Sequence, residues 1–491
     1  MNQMEKYKKR NLWMFPLGTV GRDMLYQLFN NFLMTYVLFT HNLTDAQLMA
    51  LTGIMVAARI FDALNDPVMG NIIERTRTKW GKYKPWQLIG ILTTGVVVYL
   101  AFNVQLSGWP FVIFFGVIYF LFSITYTMHD ISYWGMVPSL GSDGATRDQF
   151  ASRATLFAGV GGTLAGLLVP MLTTGGTALG GSAKTAYGLV ALIFSILGPV
   201  FLGFTIFGAK EDLSYMKEKV PPVSFRKILS TFTHNDQLLW IALIFLLQQI
   251  GNSLTLGGLG STYIYFAFGY EGGLYSTFST IGVAATAVLM IFYPAITRKI
   301  HRKTLMKYMV ILASIGYTLM LLAGLFLPNN TVKFWIITLT YMCTNLGQYC
   351  FYLVMMISIM NTVEYNELKN GSRDEAIIAS VRPFLTKMAS ALIVLITTLS
   401  YLAFRVTDFT NQISAFEQDA SRGTITEAQK LSGIQEVLSG VTNTQTVGLV
   451  VIMSILPWIL LVASYLLYKK HYILDEEKYA AIVAELEAKK K

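Results

Sequence analysis

One arginine, two carboxylates and an amide, Arg59, Asp62, Asn65 and Asp66, lie inside a long apolar stretch and directly before Pro67. On a helix, positions 59, 62 and 66 share a face, because residues three, four and seven apart stack above one another. A charge at the centre of a bilayer costs about 2.5–3.5 kcal/mol on insertion scales, so such a cluster marks an ion or proton pathway by default. Pro67 removes one helical hydrogen bond and frees a carbonyl near the carboxylates. Two carboxylates, an amide oxygen and a freed carbonyl make an oxygen-rich nest for a hard monovalent cation, or a proton acceptor. The competing reading is a structural salt bridge between helices through Arg59.

A second constellation is Tyr126, Thr127, Asp130 and Trp134. Positions 127, 130 and 134 fall on one helical face, and Tyr126 stacks one turn before Asp130. A carboxylate one turn from an indole suits a sugar: the acid accepts from vicinal hydroxyls and the ring offers a flat surface to the C–H face. An interfacial tryptophan is the plain alternative. His129 faces elsewhere and reads as packing. Asp23, with Gln27 and Asn30, forms a polar stripe beside Arg22 in the first apolar segment, near mid-membrane depth. Arg153 supplies a planar fork for a carboxylate or diol, and Gly159, Gly161, Gly162 and Gly166 around it suggest close helix approach. Later in the chain, Gln248, Gln249, Asn252, Asn345, Gln348, Tyr349 and Tyr352 either line a cavity or bond between helices. Arg382 and Lys387 are the intramembrane basic residues of that part, Lys387 the deeper.

The elements that must position these groups are long apolar helices. The 491 residues are 54% hydrophobic and 13% charged, which describes a polytopic membrane protein rather than several soluble domains. Apolar runs of about 20 residues or more predict twelve spans, near 12–40, 45–73, 86–104, 109–138, 148–173, 184–208, 236–268, 273–297, 304–327, 331–365, 375–405 and 445–470. The net charge of +10 sits in alternate connections: Lys6 to Arg10, Arg75 to Lys84, Lys210 to Lys227 and Arg298 to Lys303. The intervening 41–44, 105–108 and 269–272 hold no Lys or Arg. That alternation places both termini in the cytoplasm of a multi-pass inner-membrane protein and removes nucleic acid as a partner. The basic start runs into Arg22 and Asp23 instead of a clean apolar core, so no cleavable signal is expected. Cys343 and Cys350 lie about 10 Å apart along one helix and cannot bond to each other there.

The expected organisation is a six-helix half over 1–208, a linker over 209–235 with Pro221 and Pro222 as hinge, a second six-helix half over 236–470 and a charged tail over 471–491. The stretch 406–444 reads as a polar outside spacer with a short helix near 425–439. No metal-ligand motif, phosphate loop or soluble output domain marks an enzyme or sensor.

Arg59-x-x-Asp62-x-x-Asn65-Asp66-Pro67 followed by Trp80-Gly81-Lys82-Tyr83-Lys84-Pro85-Trp86 resembles the glycoside–pentoside–hexuronide:cation symporters of the major facilitator superfamily, the melibiose permease group. Gly21-Arg22-Asp23, Asp130 through Trp134, Arg153, Asn361 through Glu367 and Lys387 extend the resemblance along nearly the whole chain. It implies a cation site at Asp62, Asp66, Asn65 and Thr127. It also implies sugar or site-linking roles for Asp23, Asp130, Trp134, Arg153 and Lys387, with Arg22, Tyr126 and Tyr352 as further lining. Tyr352 stands where that group has an indole and Arg382 where it has an uncharged amide, and 406–444 is longer than in the group. These departures bear on which sugar is carried.

The resulting expectation is a monomeric symporter without a cofactor, working by alternating access and driven by Na+, Li+ or H+. The cation binds first at Asp62 and Asp66, and the glycoside then binds between the halves. Four acids (Asp23, Asp62, Asp66, Asp130) face four bases (Arg22, Arg59, Arg153, Lys387), so an added cation shifts a nearly balanced network. Arg382 leaves an anionic sugar, a hexuronide or sulfo-sugar, open as substrate. A carrier of lysolipid amphiphiles is the other alternative.

Overall fold

The computed structural model describes residues 3–141, 144–213, 225–297 and 299–490, and these are helical throughout, with no strand among them. Pro221, Pro222 and Arg298, named above as hinge or loop charge, and Lys217 and Lys219 within the basic stretch Lys210 to Lys227 lie outside the described residues. In chain order the first helices are α1 (Gln3–Gln27), α2 (Leu33–Thr40), α3 (Asp45–Arg75), α4 (Lys84–Asn103), α5 (Gly108–Gly135), α6 (Gly144–Thr173), α7 (Ala183–Gly203) and α8 (Phe225–His234). They are followed by α9 (Asp236–Ser253), α10 (Gly260–Phe268), α11 (Gly272–Thr297), α12 (Arg302–Phe326), α13 (Thr331–Asn370) and α14 (Glu375–Ala403). The last four are α15 (Val406–Ser421), α16 (Glu427–Ser439), α17 (Asn443–His471) and α18 (Glu476–Lys490).

Ten helical segments among the described residues are long and apolar enough to cross a membrane, or eleven when α3 is counted as one bent span. The first expected span, 12–40, is not among them, because Gln27, Asn30 and Asn31 interrupt its apolar run. That segment is instead a continuous path of α1, a π turn over Leu28–Phe32 and α2. A π turn inside a helix is a frequent mark of a functional site. α3 starts with a reciprocal cap: Gln47 N–H donates to Thr44 Oγ1 and Thr44 N–H to Gln47 Oε1. It bends by 40° between Asp62 and Leu64. Pro67 accounts for the bend, since its ring collides with the carbonyl four residues earlier.

The chain forms two compact units. The first comprises 1–222, 269–277 and 401–441; the second comprises 223–268, 278–400 and 442–491. In the first unit α3 and α5 run parallel and in register, with Ile54 against Gly116 and the Phe61 ring 5.4 Å from Phe120. α1 packs on α6 through Gly161, where a Cβ would stand 2.2 Å from the Val20 carbonyl oxygen, and Gly162 meets Gln27. Gly159 and Gly166 have nothing within 4 Å, so only half of the expected glycine contact exists. Gly21 lies close against the Leu197 carbonyl of α7, where a Cβ would stand 2.6 Å from the oxygen, and so fixes the height of Arg22 and Asp23. Loop 76–83 is tied down by Lys82 to Glu74 and by the Trp86 indole N–H donating to Thr76 Oγ1 at 2.8 Å. His129 is fully buried against the Gln87 carbonyl, as packing would have it.

The stretch 401–441 is not a solvated spacer. It is a helical hairpin, α15 and α16, that packs within the first unit. Val406, Thr410, Ile413 and Glu417 recur at i, i+4, i+7 and i+11 and are all buried, an amphipathic stripe hidden by polar composition. Asn411 exchanges two 2.9 Å hydrogen bonds with the Leu43 backbone, and Gln418 donates to the Thr40 carbonyl at 2.9 Å. Glu417 and Lys430, both fully buried, stand 3.7 Å apart. Glu417 accepts from the Ala183 N–H at 2.6 Å, while Lys430 donates to the Gly181 carbonyl at 2.8 Å.

Burial pushes the Glu417 carboxyl up from 4.5 to about 7, against the pull of Lys430 and the Ala183 N–H. The folded hairpin therefore holds the proton more tightly than the unfolded chain does. Its contribution to stability is complete below about pH 4.5, the ordinary carboxylate range, and is lost as pH rises through 7. Amide exchange in 406–421 should be slower at pH 5 than at pH 8 after correction for intrinsic rates, and Glu417→Gln should remove most of that difference. An unchanged difference in the variant would assign the pH effect to another group.

In the second unit, α9 and α10 are halves of one segment broken at Thr255–Leu259, where Gly258 takes φ 130. Gln248 donates to Gln348, and Gln348 to the Tyr317 hydroxyl at 3.1 Å; Thr286 donates to Asn345 at 2.6 Å. These amides bond between helices. α13 ends on Gly371 in the left-handed conformation, φ 70, beyond which Arg373 pairs with Glu364 at 2.8 Å and Glu367 at 2.9 Å.

Candidate functional site

Two charged clusters lie in the first unit, each built from one buried arginine and two carboxylates. In the first, Arg59 on α3 stands 3.7 Å from Asp62, one turn along the same helix, with both side chains 10% exposed. Arg59 also donates to Asn30 in the π turn and lies 5.7 Å over the Tyr119 ring. Asp62 accepts from the Ser123 hydroxyl, and Asp66 accepts from the Thr127 hydroxyl at 3.3 Å. Because α3 and α5 are parallel, 62 with 123 and 66 with 127 form two successive rungs. Asn65 is half-buried on the same turn, and its amide nitrogen is buried without a hydrogen-bond partner.

The second cluster hangs on Arg22, whose side chain is 4% exposed. Its Nε and Nη2 donate to Asp23 at 2.9 and 2.7 Å, and Nη1 reaches across to Asp130 on α5 at 3.0 Å. The guanidinium also lies 5.2 Å over Tyr133 and 5.5 Å over Trp134. Tyr133 is itself fixed, stacked on Phe15 at 4.3 Å and donating to its carbonyl. Asp130 is 38% exposed and Trp134 half-buried, so this cluster offers carboxylate oxygens and an indole to an incoming molecule. Tyr126 lies between the clusters, its ring 5.0 Å from Tyr26 and stacked on Phe122.

Each cluster carries one positive and two negative formal charges, a net −1 while both acids are ionised. Both hang on α5: Ser123 and Thr127 serve the first, Asp130 and Trp134 the second. Thr127 and Asp130 are three residues apart, about 4.5 Å along the axis, so α5 links the two sites mechanically. Asp62 and Asp66, one turn apart, repel by about 3 kcal/mol at an effective dielectric constant near 20. A cation between them relieves that repulsion. Among the described residues no three of His, Cys, Asp or Glu converge as a divalent-metal cage would require.

The structure does not bring every expected residue together. Arg153 on α6 donates to the Leu12 carbonyl at 3.3 Å and lies 5.4 Å over Trp13, near the start of α1, rather than on Asp23 or Asp130. Lys387 and Tyr352 belong to the second unit. There Arg382 donates to the Tyr352 hydroxyl at 3.4 Å, Tyr349 stands 5.3 Å from Tyr352, and Lys387 is half-buried farther along α14. Ser123 and Tyr119 are contributors that residue types alone do not reveal. The available signal is their place on α5: 119, 123 and 127 follow at four-residue spacing, and 123 and 127 match that of 62 and 66.

The described residues form no strand, and their ten or eleven membrane-crossing candidates with two buried charged clusters are those of a polytopic membrane protein. A solved bacterial homologue of the human lysosomal transporter Spinster, inward-facing and occupied, superposes with a TM-score of 0.61 at 13% identity, over 96% of this chain and 97% of that one. The nucleoside transporter NupG (D323A mutant) gives 0.61 at 13% identity, over 93% and 99%. At such identity the likeness concerns the fold alone. The chain belongs to the MFS/sugar transport protein family, whose sequence model matches residues 14–475. It is similar to a lactose permease of Leuconostoc lactis, 29% identical over 77% of this chain, but it spans only 60% of that relative's length. A raffinose carrier protein of Pediococcus pentosaceus is 26% identical over 96% of this chain and 70% of its own. The family and these relatives are transporters, not enzymes, and place this chain among the glycoside–pentoside–hexuronide symporters.

Proposed function

We propose that the protein carries a neutral glycoside together with a monovalent cation, with lactose and raffinose as first candidates from the names of its relatives. The observation that carries this reading is the pair of clusters on one helix. The cation sits at Asp62 and Asp66, helped by Thr127, Ser123 and Asn65. The sugar hydroxyls donate to Asp23 and Asp130 while its C–H face lies on Trp134, and Arg22 and Tyr126 hold that shelf. Cation binding neutralises the first cluster and steadies α5, and α5 presents Asp130 to the sugar. Transport follows by alternating access, in a monomer of the inner membrane with both termini cytoplasmic and the helices grouped as two halves of six. Arg153, Lys387 and Tyr352 join the sugar path at other stages of the cycle. Na+, Li+ and H+ all fit two carboxylates.

A second reading, an anionic sugar such as a hexuronide, is favoured by one observation, the exposed Arg382 guanidinium on Tyr352. The net negative charge at Arg22, Asp23 and Asp130 weighs against it. A melting-temperature panel on purified protein separates these, since a ligand of the folded state raises the melting point. It crosses lactose, raffinose, a hexuronide and a lysophospholipid with Na+ or K+ at pH 6 and 8. A shift with lactose or raffinose that depends on Na+ or on pH supports the proposal. A shift with hexuronide or lysolipid alone overturns the neutral-sugar assignment.

A further inference from the structure

A polar cleft of about 170 Å³ opens at the end of the first unit that carries residues 40–44, away from both charged clusters. Its lining includes two cations, Lys184 at the start of α7 and Arg422 at the end of α15, and no carboxylate. Lys184 donates only to a neutral group there, Gln105 Oε1 at 3.3 Å, and Arg422 touches one acid loosely, Asp419 at 3.9 Å. The two cations lie near enough to repel one another. Burial, with help from Lys184, drives the His41 imidazole down to about 3, so the third basic group in the wall stays neutral. It stacks on Phe111 at 4.1 Å and bonds Thr40.

The cleft also receives the start of α5, a 28-residue helix whose N-cap Ser107 makes no side-chain capping bond. The Gly108, Trp109 and Phe111 N–H groups at that helix start (Pro110 has none) and its positive dipole end add to the field of Lys184 and Arg422. Immediately beside it Trp109 is 53% exposed and begins a stripe with Ile113, Val117 and Leu121, all exposed at four-residue spacing. An outward apolar stripe topped by an indole faces lipid, with the indole at headgroup depth. The cleft therefore opens where lipid phosphates lie.

We propose that the cleft of Lys184, Arg422 and the α5 N-terminus binds a phosphate-type anion, namely the headgroup of an acidic phospholipid or free phosphate reaching the same place. Gln418, which lines the cleft, also ties α15 to the Thr40 carbonyl, so an anion held by Arg422 and Lys184 bridges the hairpin to α7. The site is separate from the sugar and cation clusters and stands whether or not those are assigned correctly.

Native mass spectrometry of the full chain in mild detergent, with phosphatidylglycerol and phosphatidylcholine supplied in equal amounts, tests it. Two cations and no carboxylate in the lining favour the lipid with net negative charge, so wild type should retain phosphatidylglycerol in clear excess over phosphatidylcholine. Lys184→Gln with Arg422→Gln should bring the ratio near one, while the charge-keeping pair Lys184→Arg with Arg422→Lys should preserve it. Competition by millimolar inorganic phosphate in wild type assigns the site to soluble anions; no competition assigns it to the lipid. Equal retention of both lipids by wild type, or an undiminished preference in the Gln variant, overturns the proposal. The variants are compared at matched melting temperature, and the charge-keeping pair guards against loss of folding.

Discussion

Asp66→Asn should abolish cation-driven sugar accumulation, by about 100-fold or more, while leaving sugar exchange across the membrane measurable. The reason lies in the two rungs between α3 and α5. Asp66 is one of two carboxylates whose mutual repulsion, about 3 kcal/mol at an effective dielectric constant near 20, a bound cation relieves. With an amide at 66 that repulsion is absent and the cation gains little by binding. Asparagine keeps an acceptor for the Thr127 hydroxyl, which lies 3.3 Å from Asp66. α5 then retains its register and the Asp130 shelf survives. The melting temperature of the variant should be equal to or above that of wild type and should no longer rise with the coupling ion. A variant that still accumulates sugar against its gradient with unchanged ion dependence would remove Asp66 from the cation site.

Arg22→Gln should have an effect of similar size by a different route. Arg22 joins Asp23 on α1 to Asp130 on α5, at 2.7 and 3.0 Å. Its removal leaves two carboxylates facing one another with one neutral donor between them. Breaking a buried ion pair from one side costs about 3–5 kcal/mol. Here the loss should be nearer 2 kcal/mol, because Asp130 is 38% exposed and water takes up part of the charge. Sugar binding should fall by about 100-fold or more, since the shelf loses both its geometry and the cation over Trp134. Arg22→Lys should recover stability but little transport, because one ammonium cannot fork to two carboxylates as a guanidinium does. Full sugar affinity in Arg22→Gln would show that the shelf lies elsewhere. The two variants differ in their readout: Asp66→Asn loses ion dependence and keeps the sugar, whereas Arg22→Gln loses the sugar.

Much of this site is legible in the sequence because charge is rare in apolar helices and helical spacing is strict. Asp62 and Asp66 on one face, and Thr127, Asp130 and Trp134 on another, follow from residue numbers alone. The meeting of Arg22 with Asp130 does not, since it depends on how deep each helix sits, and Gly21 against the Leu197 carbonyl sets that depth. Ser123 is hidden for a related reason: a serine in an apolar run ordinarily bonds its own helix, and only the register with Asp62 gives it another role. Arg153 shows the converse: residue type alone suggests a partner among the central carboxylates, whereas in this structure its guanidinium lies at the Leu12 carbonyl and over Trp13. The short helix expected near 425–439 is present as α16, but α15 and the docking of the hairpin escape a composition-based reading, because Thr410, Ser414 and Glu417 bury polar atoms against backbone partners and the inward face of α15 does not look apolar.

Uptake of labelled lactose into proteoliposomes, compared with and without an imposed inward gradient of Na+ or of protons, tests the central claim most directly. Accumulation above the equilibrium level under one of those gradients, its collapse when the gradient is dissipated, and its absence in Asp66→Asn are the predicted results. Uptake that only equilibrates under either gradient, at a rate Asp66→Asn leaves unchanged, would contradict a cation-coupled carrier working through Asp62 and Asp66.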